Sequence, residues 1–252
     1  MFTHAITRRP GANFSRGITT AKNESHSYEL IVSQHEAYLE TLRSFGLEVI
    51  VLDSLADYPD AYFLEDTAVV APQVAVVTIP GATSRRGEAD AIAPVLARYR
   101  KIERIQPPGT IDGGDVLMVD NHYIIGISGR TNIQGAEQLG KILQSFGNTW
   151  ATVPVRSGLH LKSSVNLVGE NTLLLRREYA DLEELERFEK IIVDEDEKPA
   201  CNTLWINDHL MVPRGYQATR KKLEATGYDI VELDASEVIK MDGGLTCMSL
   251  RF

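Results

Sequence analysis

The feature of this sequence that most restricts its fold is a pattern that returns about every fifty residues. "TAVVAPQVAVVTIPG" (67–81) reads as two β-rich runs joined by a Pro-Gln turn; "GEADAIAPVLARYR" (87–100) has helical spacing, and "KIERIQPP" is extended. The same order recurs in "DVLMVDNHYIIGIS", "NIQGAEQLGKILQSFG" and "ATVPVR". It returns in "VNLVGENTLLLRR", "ADLEELERF" and "EKIIVDED", and again in "NTLWINDHLMVP", "QATRKKLEATG" and "YDIVELD". Val69, Val116 and Val165 hold equivalent places 47 and 49 residues apart, a period suited to propellers and related repeat folds.

A fifth unit exists only if the chain ends are joined. "LTCMSLRF" supplies its first strand, "FTHAITRRPG" its second, and "LEVIVLD" its third. The helix between them, "YELIVSQHEAYLETLRSFG", places Ile31, His35, Tyr38, Leu42 and Phe45 on one face and stops at Gly46. The expected fold class is therefore α/β: a closed, five-bladed α/β propeller of ββαβ units, one domain over residues 1–252. Pairing of the N- and C-terminal strands closes the ring. The competing reading is a two-layer α/β sheet whose hairpins look alike by chance.

The ring makes a test of function possible, because every link from a third strand to the next first strand should reach the same place. The links are "DSLADYPDAYFLED" (53–66), "PPGTIDGGD" (107–115), "RSGLHLKSS" (156–164), "EKPACN" (197–202) and "KMDGGLTC" (240–247). Four of them carry Asp60, Glu65, Asp66, Asp112, His160, Asp242 and Cys247. Singly, each has an ordinary role: a buried cysteine, a hydrogen-bonded core histidine, turn or surface acids. Together, a thiol, an imidazole and a carboxylate at one centre make a nucleophile, a proton shuttle and its orienting partner. Cys201 reads as buried structure.

Charge narrows the substrate. A free thiol is only a few per cent ionised at neutral pH, and carboxylates around it disfavour the thiolate until a cation arrives. A guanidinium is planar, permanently charged and matched to carboxylates, and its central carbon is an electrophile. Arg85 and Arg130 both follow a second strand and precede a helix, where a cation opposes the helix dipole unless an anion is near. Two arginines in equivalent units could clamp a carboxylate.

The net charge of -9 argues against nucleic acid or an anionic membrane as partner. No signal-peptide pattern and no 18-residue apolar run is present. Two cysteines form no disulfide framework and no Cys/His cluster has zinc spacing. A soluble cytoplasmic protein with reduced thiols is expected, and a homodimer is left open.

"FLEDTAVV", "PGATSRRGE", "PGTIDGGDVL", "SGRTN", "LHLKSS", "RKKLEATGYDIVELDASE" and "KMDGGLTCMSLRF" resemble the dimethylarginine dimethylaminohydrolases (dimethylargininases) of the pentein superfamily of guanidino-modifying enzymes. The resemblance covers essentially the whole chain. It implies the five-bladed pentein propeller and hydrolysis of dimethylarginine (and monomethylarginine) to citrulline plus dimethylamine (or methylamine). It implies no metal and no organic cofactor.

By motif, it implies Cys247 as nucleophile, His160 as general acid and base, and Asp112 as the carboxylate orienting His160. Some relatives have Glu at that last place, so the reach is shorter here. Glu65 and Asp66 would hold the guanidinium, Asp60 the α-amino group, and Arg85 and Arg130 the α-carboxylate. Ile18 and Met241 would offer backbone carbonyls; Asp242 enters from charge alone, as one of four carboxylates, with Asp60, Glu65 and Asp66, that call for a bound cation. The rivals are another pentein enzyme, an arginine deiminase or amidinotransferase, and a pentein binding module without catalysis. The deiminases and amidinotransferases carry His-x-Asp, whereas this chain reads His160-Leu161-Lys162, and deiminases also contain an inserted helical domain.

Overall fold

The computed structural model describes residues 1–21 and 24–252. Its strands form five three-stranded sheets. β1 (His4–Arg8) and β2 (Glu48–Leu52) belong to one sheet; β3 (Ala68–Val70), β4 (Val74–Val77) and β5 (Lys101–Arg104) form the next. β6 (Val116–Val119), β7 (His122–Ile127) and β8 (Thr149–Pro154) follow, then β9 (Val165–Leu167), β10 (Thr172–Arg176) and β11 (Glu189–Val193). β12 (Leu204–Ile206), β13 (His209–Pro213) and β14 (Asp229–Leu233) complete the fourth full unit. β15 (Ser249–Arg251) returns to pair antiparallel with β1, matching Ala5 to Arg251 and Thr7 to Ser249, so the head and tail strands share the fifth sheet.

In each sheet the first strand is antiparallel to the second, and the second is parallel to the third. The antiparallel step needs only a tight turn. Asp120 (φ 53°) and Asn207 (φ 52°) take left-handed backbone in two of them, which short polar side chains tolerate. The parallel step needs a crossover. In the fifth unit it is α1 (Tyr28–Ser44), capped by the Ser27 hydroxyl accepting the Leu30 N–H at 3.2 Å, with Gly46 at φ 84° after its end. The face read from the sequence, Ile31, His35, Tyr38, Leu42 and Phe45, is buried.

Two expected helices take another form. The sequence spacing predicts one helix over 87–100; instead a 3₁₀ run, Thr83–Ala91, leads into a single α-turn, α2 (Ala93–Leu96), with Pro94 in its first turn. Burial of Arg85 and Glu88 as an ion pair three residues apart fixes the tighter winding. "ADLEELERF" (180–188) holds a 3₁₀ turn, Glu183–Leu185, and no α-helix. Its buried residues Leu182, Leu185 and Phe188 recur every three positions, the 3₁₀ period, in a stretch too short to sustain an α-helix. The second and fourth units have ordinary crossover helices, α3 (Ile133–Ser145) and α4 (Gln217–Leu223); a short α5 (Ser236–Lys240) follows β14.

The core explains why middle strands are apolar on both sides. Along β7, Tyr123 and Ile125 join Val74 and Val76 of the preceding sheet, while Ile124 joins Leu173 and Leu175 of the following one. On β10, Leu174 turns the other way, to Leu210 and Val212. Ala5 packs with Leu204 and Met211, and Ile6 with Val70 and Ala75. Each sheet is thus sandwiched between its two neighbours, and five such contacts close the ring. No helix of the described residues is long and apolar enough to cross a membrane.

Candidate active site

Five short 3₁₀ turns lead into the five first strands: Leu64–Thr67, Gly113–Asp115, Leu161–Ser163, Glu195–Cys201 and Thr246–Met248. The first four turns pack on one another in succession and the last packs on the first, so the reactive residues at or beside them meet although they are far apart in sequence. Gly114 shows how tight this is: a Cβ there would lie 2.7 Å from His160 Nδ1.

His160 Nε2 lies 2.9 Å from Asp112 Oδ2, so the shorter acid reaches the ring. Asp112 is fully buried, and its Oδ1 accepts the Gly81 N–H at 2.8 Å. Asp66 Oδ1 accepts the Gly114 N–H at 2.9 Å, and Oδ2 accepts from Arg85 Nη1 at 2.6 Å. Asp66, Asp112 and His160 bring ligand-type atoms within 4.8 Å of one another, yet these internal partners already engage them.

Cys247, His160, Asp66, Asp60, Arg85 and Arg130 line a common cavity of about 20 Å³, with Ile18, Met241 and Asp242 on its wall and Phe63 and Leu159 adding apolar surface. Asp60 accepts the Ile18 N–H with both oxygens, at 3.1 and 3.2 Å. Asp242 (φ 58°) accepts from the Thr20 N–H at 2.6 Å and hydroxyl at 2.8 Å, so it anchors the 18–21 segment.

Glu65 requires a correction. Its carboxylate was expected beside the guanidinium, but it turns away from the cavity. Oε1 meets Lys162 Nζ at 2.6 Å and Arg251 Nη2 at 2.7 Å. Glu65, Lys162 and Arg251 line a separate space of about 640 Å³, walled by residues of all five first strands. The neighbours Glu65 and Asp66 therefore face different compartments, because two cations pair with the first and Arg85 with the second.

Arg85 is more committed than a free carboxylate clamp would be. Its Nε donates to both oxygens of Glu88 at 3.1 Å, and its Nη2 to Glu88 at 2.8 Å and to the Phe63 carbonyl at 3.0 Å. Arg130 is looser, with Asp112 its ionic neighbour at 3.9 Å. Glu88 escaped the sequence reading, although its three-residue spacing from Arg85 was a usable signal. Asp115 also escaped it: the carboxylate accepts from the Ser128 and Thr131 hydroxyls at 2.6 Å and from the Leu161 N–H at 2.8 Å, tying the Arg130 turn to the His160 turn.

Protonation follows from these contacts. Burial, then the charges of Glu65 and Asp66, push the Cys247 thiol up to about 12. Burial by itself lowers His160, but Asp66, the Asp112 hydrogen bond and Asp115 outweigh it and raise the ring to about 9. Burial pushes Glu88 up to about 7, against the pull of Arg85. Both shifts favour a neutral thiol beside an imidazolium at neutral pH. Cys201 is fully buried, donates toward the Leu174 carbonyl at 3.5 Å, and is raised by burial.

A cysteine and a charged histidine facing buried acids in a five-unit ring can be compared with known proteins. A family model described as "N,N dimethylarginine dimethylhydrolase, eukaryotic" matches residues 7–251. The N(G),N(G)-dimethylarginine dimethylaminohydrolase of Pseudomonas aeruginosa is 38% identical over 254 residues, covering 100% of both chains. This chain belongs to the dimethylarginine dimethylaminohydrolase family. The enzyme of that name from Streptomyces coelicolor is 33% identical, over 98% of this chain and 96% of its own.

The fold agrees with the family. A cysteine-to-serine variant of the Pseudomonas aeruginosa enzyme, complexed with citrulline, superposes with a TM-score of 0.98 at 37% identity over all of both chains. The N-terminal domain of ArgZ, an arginine dihydrolase, superposes at 0.89 with 18% identity, over 98% of this chain and 96% of its own, a likeness of fold alone. The chain has the five-unit pentein propeller.

Proposed function

We propose that this chain is one catalytic domain that hydrolyses N-omega,N-omega-dimethylarginine and monomethylarginine to citrulline and the corresponding methylamine. The observation that carries the reading is the shared cavity in which Cys247 and His160 face Asp66, with Arg130 on the same wall. A cationic guanidinium paired with Asp66 supplies the positive charge that the buried thiol lacks. One unit charge at about 4 Å is worth about 4 kcal/mol at an effective dielectric near 20, about three pKa units. His160 already carries its proton, so the thiol proton leaves to solvent as the substrate docks.

The Cys247 sulfur then forms a bond to the guanidinium carbon. His160 delivers its proton to the departing nitrogen, the C–N bond breaks, and dimethylamine leaves. A covalent thiouronium remains. Water attacks its carbon, neutral His160 takes the proton, and the C–S bond breaks to return thiolate and citrulline. Asp112 keeps the ring oriented throughout. Arg130, with Arg85 behind it, takes the α-carboxylate; Asp60 and the carbonyls of Ile18 and Met241 take the α-amino group, with Asp242 holding the adjoining segment.

Lys162, engaged by Glu65, supports methylated over free arginine. With no second acid at that position, one guanidinium nitrogen can face Phe63 and Leu159, where each buried methyl adds about 0.8 kcal/mol. Citrulline release measured with dimethylarginine, monomethylarginine and arginine tests this. Higher kcat/KM on the methylated substrates is expected; equal or higher efficiency on arginine overturns it. Cytoplasmic residence and a homodimeric state belong to the same proposal.

A further inference from the structure

The fourth link is the one from which the sequence reading assigned no residue to the centre, and its acid Glu197 accepts from the Ala218 and Thr219 N–H groups instead, yet the turn also reaches the centre. The 3₁₀ run Glu195–Cys201 ends against Asn202, which is 7% exposed. The Asn202 Oδ1 accepts the Thr246 N–H at 2.9 Å. A backbone N–H can only donate, so that contact sets the amide's orientation and turns Nδ2 the other way. Nδ2 then lies 4.0 Å from Cys247 Sγ and 3.3 Å from the Lys162 carbonyl.

The placement is built on both sides. Asn166 Nδ2 donates to the Lys162 carbonyl at 2.6 Å and to the Cys201 carbonyl at 2.8 Å, fixing the chain just before Asn202. Gly244 lies against the Asn202 amide so closely that a Cβ would collide with it, and the Cys247 N–H donates to the Gly244 carbonyl at 3.2 Å. The amide is thus wedged into the turn that presents the nucleophile.

We propose that Asn202 is a further member of the nucleophile's machinery: its Nδ2–H stabilises the Cys247 thiolate while its Oδ1 holds the Thr246–Cys247 turn. A hydrogen bond given to the charged form favours that form. The other groups bearing on this sulfur are Glu65 and Asp66, which oppose the thiolate, and His160 on the same cavity wall and the Thr246 hydroxyl 3.9 Å away, which favour it. Like the Thr246 hydroxyl, Asn202 contributes a donor whose strength does not change with pH, and unlike that rotating hydroxyl its orientation is fixed by the Thr246 N–H. The inference rests on Cys247 as nucleophile, but not on the identity of the substrate.

The test is alkylation of Cys247 by iodoacetamide in the free enzyme across pH, with the modified residue identified by mass spectrometry. It is run beside steady-state kinetics on dimethylarginine and a thermal melt. Asn202→Asp keeps an acceptor for Thr246 but replaces the donor with a negative charge. The expected result is alkylation slowed at least about tenfold at pH 8, with the pH midpoint raised by about one unit. The kcat should fall by a similar factor while KM changes little. Asn202→Ser, too short to reach the sulfur, should move the midpoint the same way and serves if the Asp variant folds poorly. A role confined to folding would lower the melting temperature and leave the midpoint in place. Folded variants alkylated within twofold of wild type overturn the proposal. Slowed alkylation in an enzyme inactive on dimethylarginine would uphold Asn202 and sink the substrate reading instead.

Discussion

Glu65→Gln should make the protein less stable and its nucleophile more reactive, two effects of opposite sign from one charge. The Glu65 side chain is 4% exposed and meets Lys162 at 2.6 Å and Arg251 at 2.7 Å, each of those side chains 11% exposed. Removing one member of a buried ion pair costs about 3–5 kcal/mol, because the partner charges stay behind. For a chain of this size that is a fall in Tm of about 6–20 °C, at about 2–4 °C per kcal/mol. Glu65 is also the largest charge holding the Cys247 thiol up. Arg251, left unneutralised, donates to the Thr246 carbonyl at 2.9 Å, next to Cys247. Losing a like charge and exposing a cation should lower the thiol by about one to three units. Iodoacetamide should therefore modify the free Gln variant at least about tenfold faster at pH 8. Since the carboxylate faces away from the substrate cavity, KM for dimethylarginine should stay within about threefold, well below the loss of a direct charged hydrogen bond. A folded Glu65→Gln enzyme with unchanged or slower alkylation would refute this electrostatic account. One whose KM rises more than tenfold would restore Glu65 to the guanidinium.

Cys247→Ser should abolish turnover with little change in the melt, while Cys201→Ser should leave kcat within about twofold because that side chain does not line the substrate cavity; substantial activity in the first would sink the covalent route. His160→Gly and Asp112→Asn should each lower kcat by about 10²-fold or more, and a loss under tenfold would remove the assigned roles. Arg130→Ala should raise KM about tenfold or more for loss of a charged hydrogen bond worth about 1.5–3 kcal/mol, and agmatine, lacking the carboxylate, should be a poor substrate. The active form needs one proton fewer than the resting pair, with His160 near 9 and Cys247 near 12, so kcat/KM should climb about tenfold per pH unit between pH 6 and 8. A flat profile there would mean that the thiol is already ionised.

The five-unit ring was legible in the chain because its signals are local. Alternating apolar residues, two-residue turns and a recurring period are written within short windows; Val116 and Val165 both open their strands, while in the first unit that place falls to Ala68, one residue before Val69. Placing Asp66, Asp112, His160 and Cys247 in equivalent links followed from the repeat alone, since a ring sends equivalent links to one centre. The helices at 87–100 and 180–188 were misread because 3₁₀ and α spacings differ by only about half a residue per turn, and burial of Arg85–Glu88 and of Leu182, Leu185 and Phe188 decided the matter. Which way Glu65 turns, what Lys162 pairs with, and that Asn202 faces the sulfur were not legible. Those contacts join residues 97, 186 and 45 positions apart, and no local pattern records them. The sequence by itself determined the repeat, the ring and the identity of the reactive groups, because hydropathy and turn chemistry act between near neighbours. Only the tertiary structure decided which acid faces the substrate and which is consumed by cations, because each carboxylate turns to the strongest counter-charge that ring closure brings within reach.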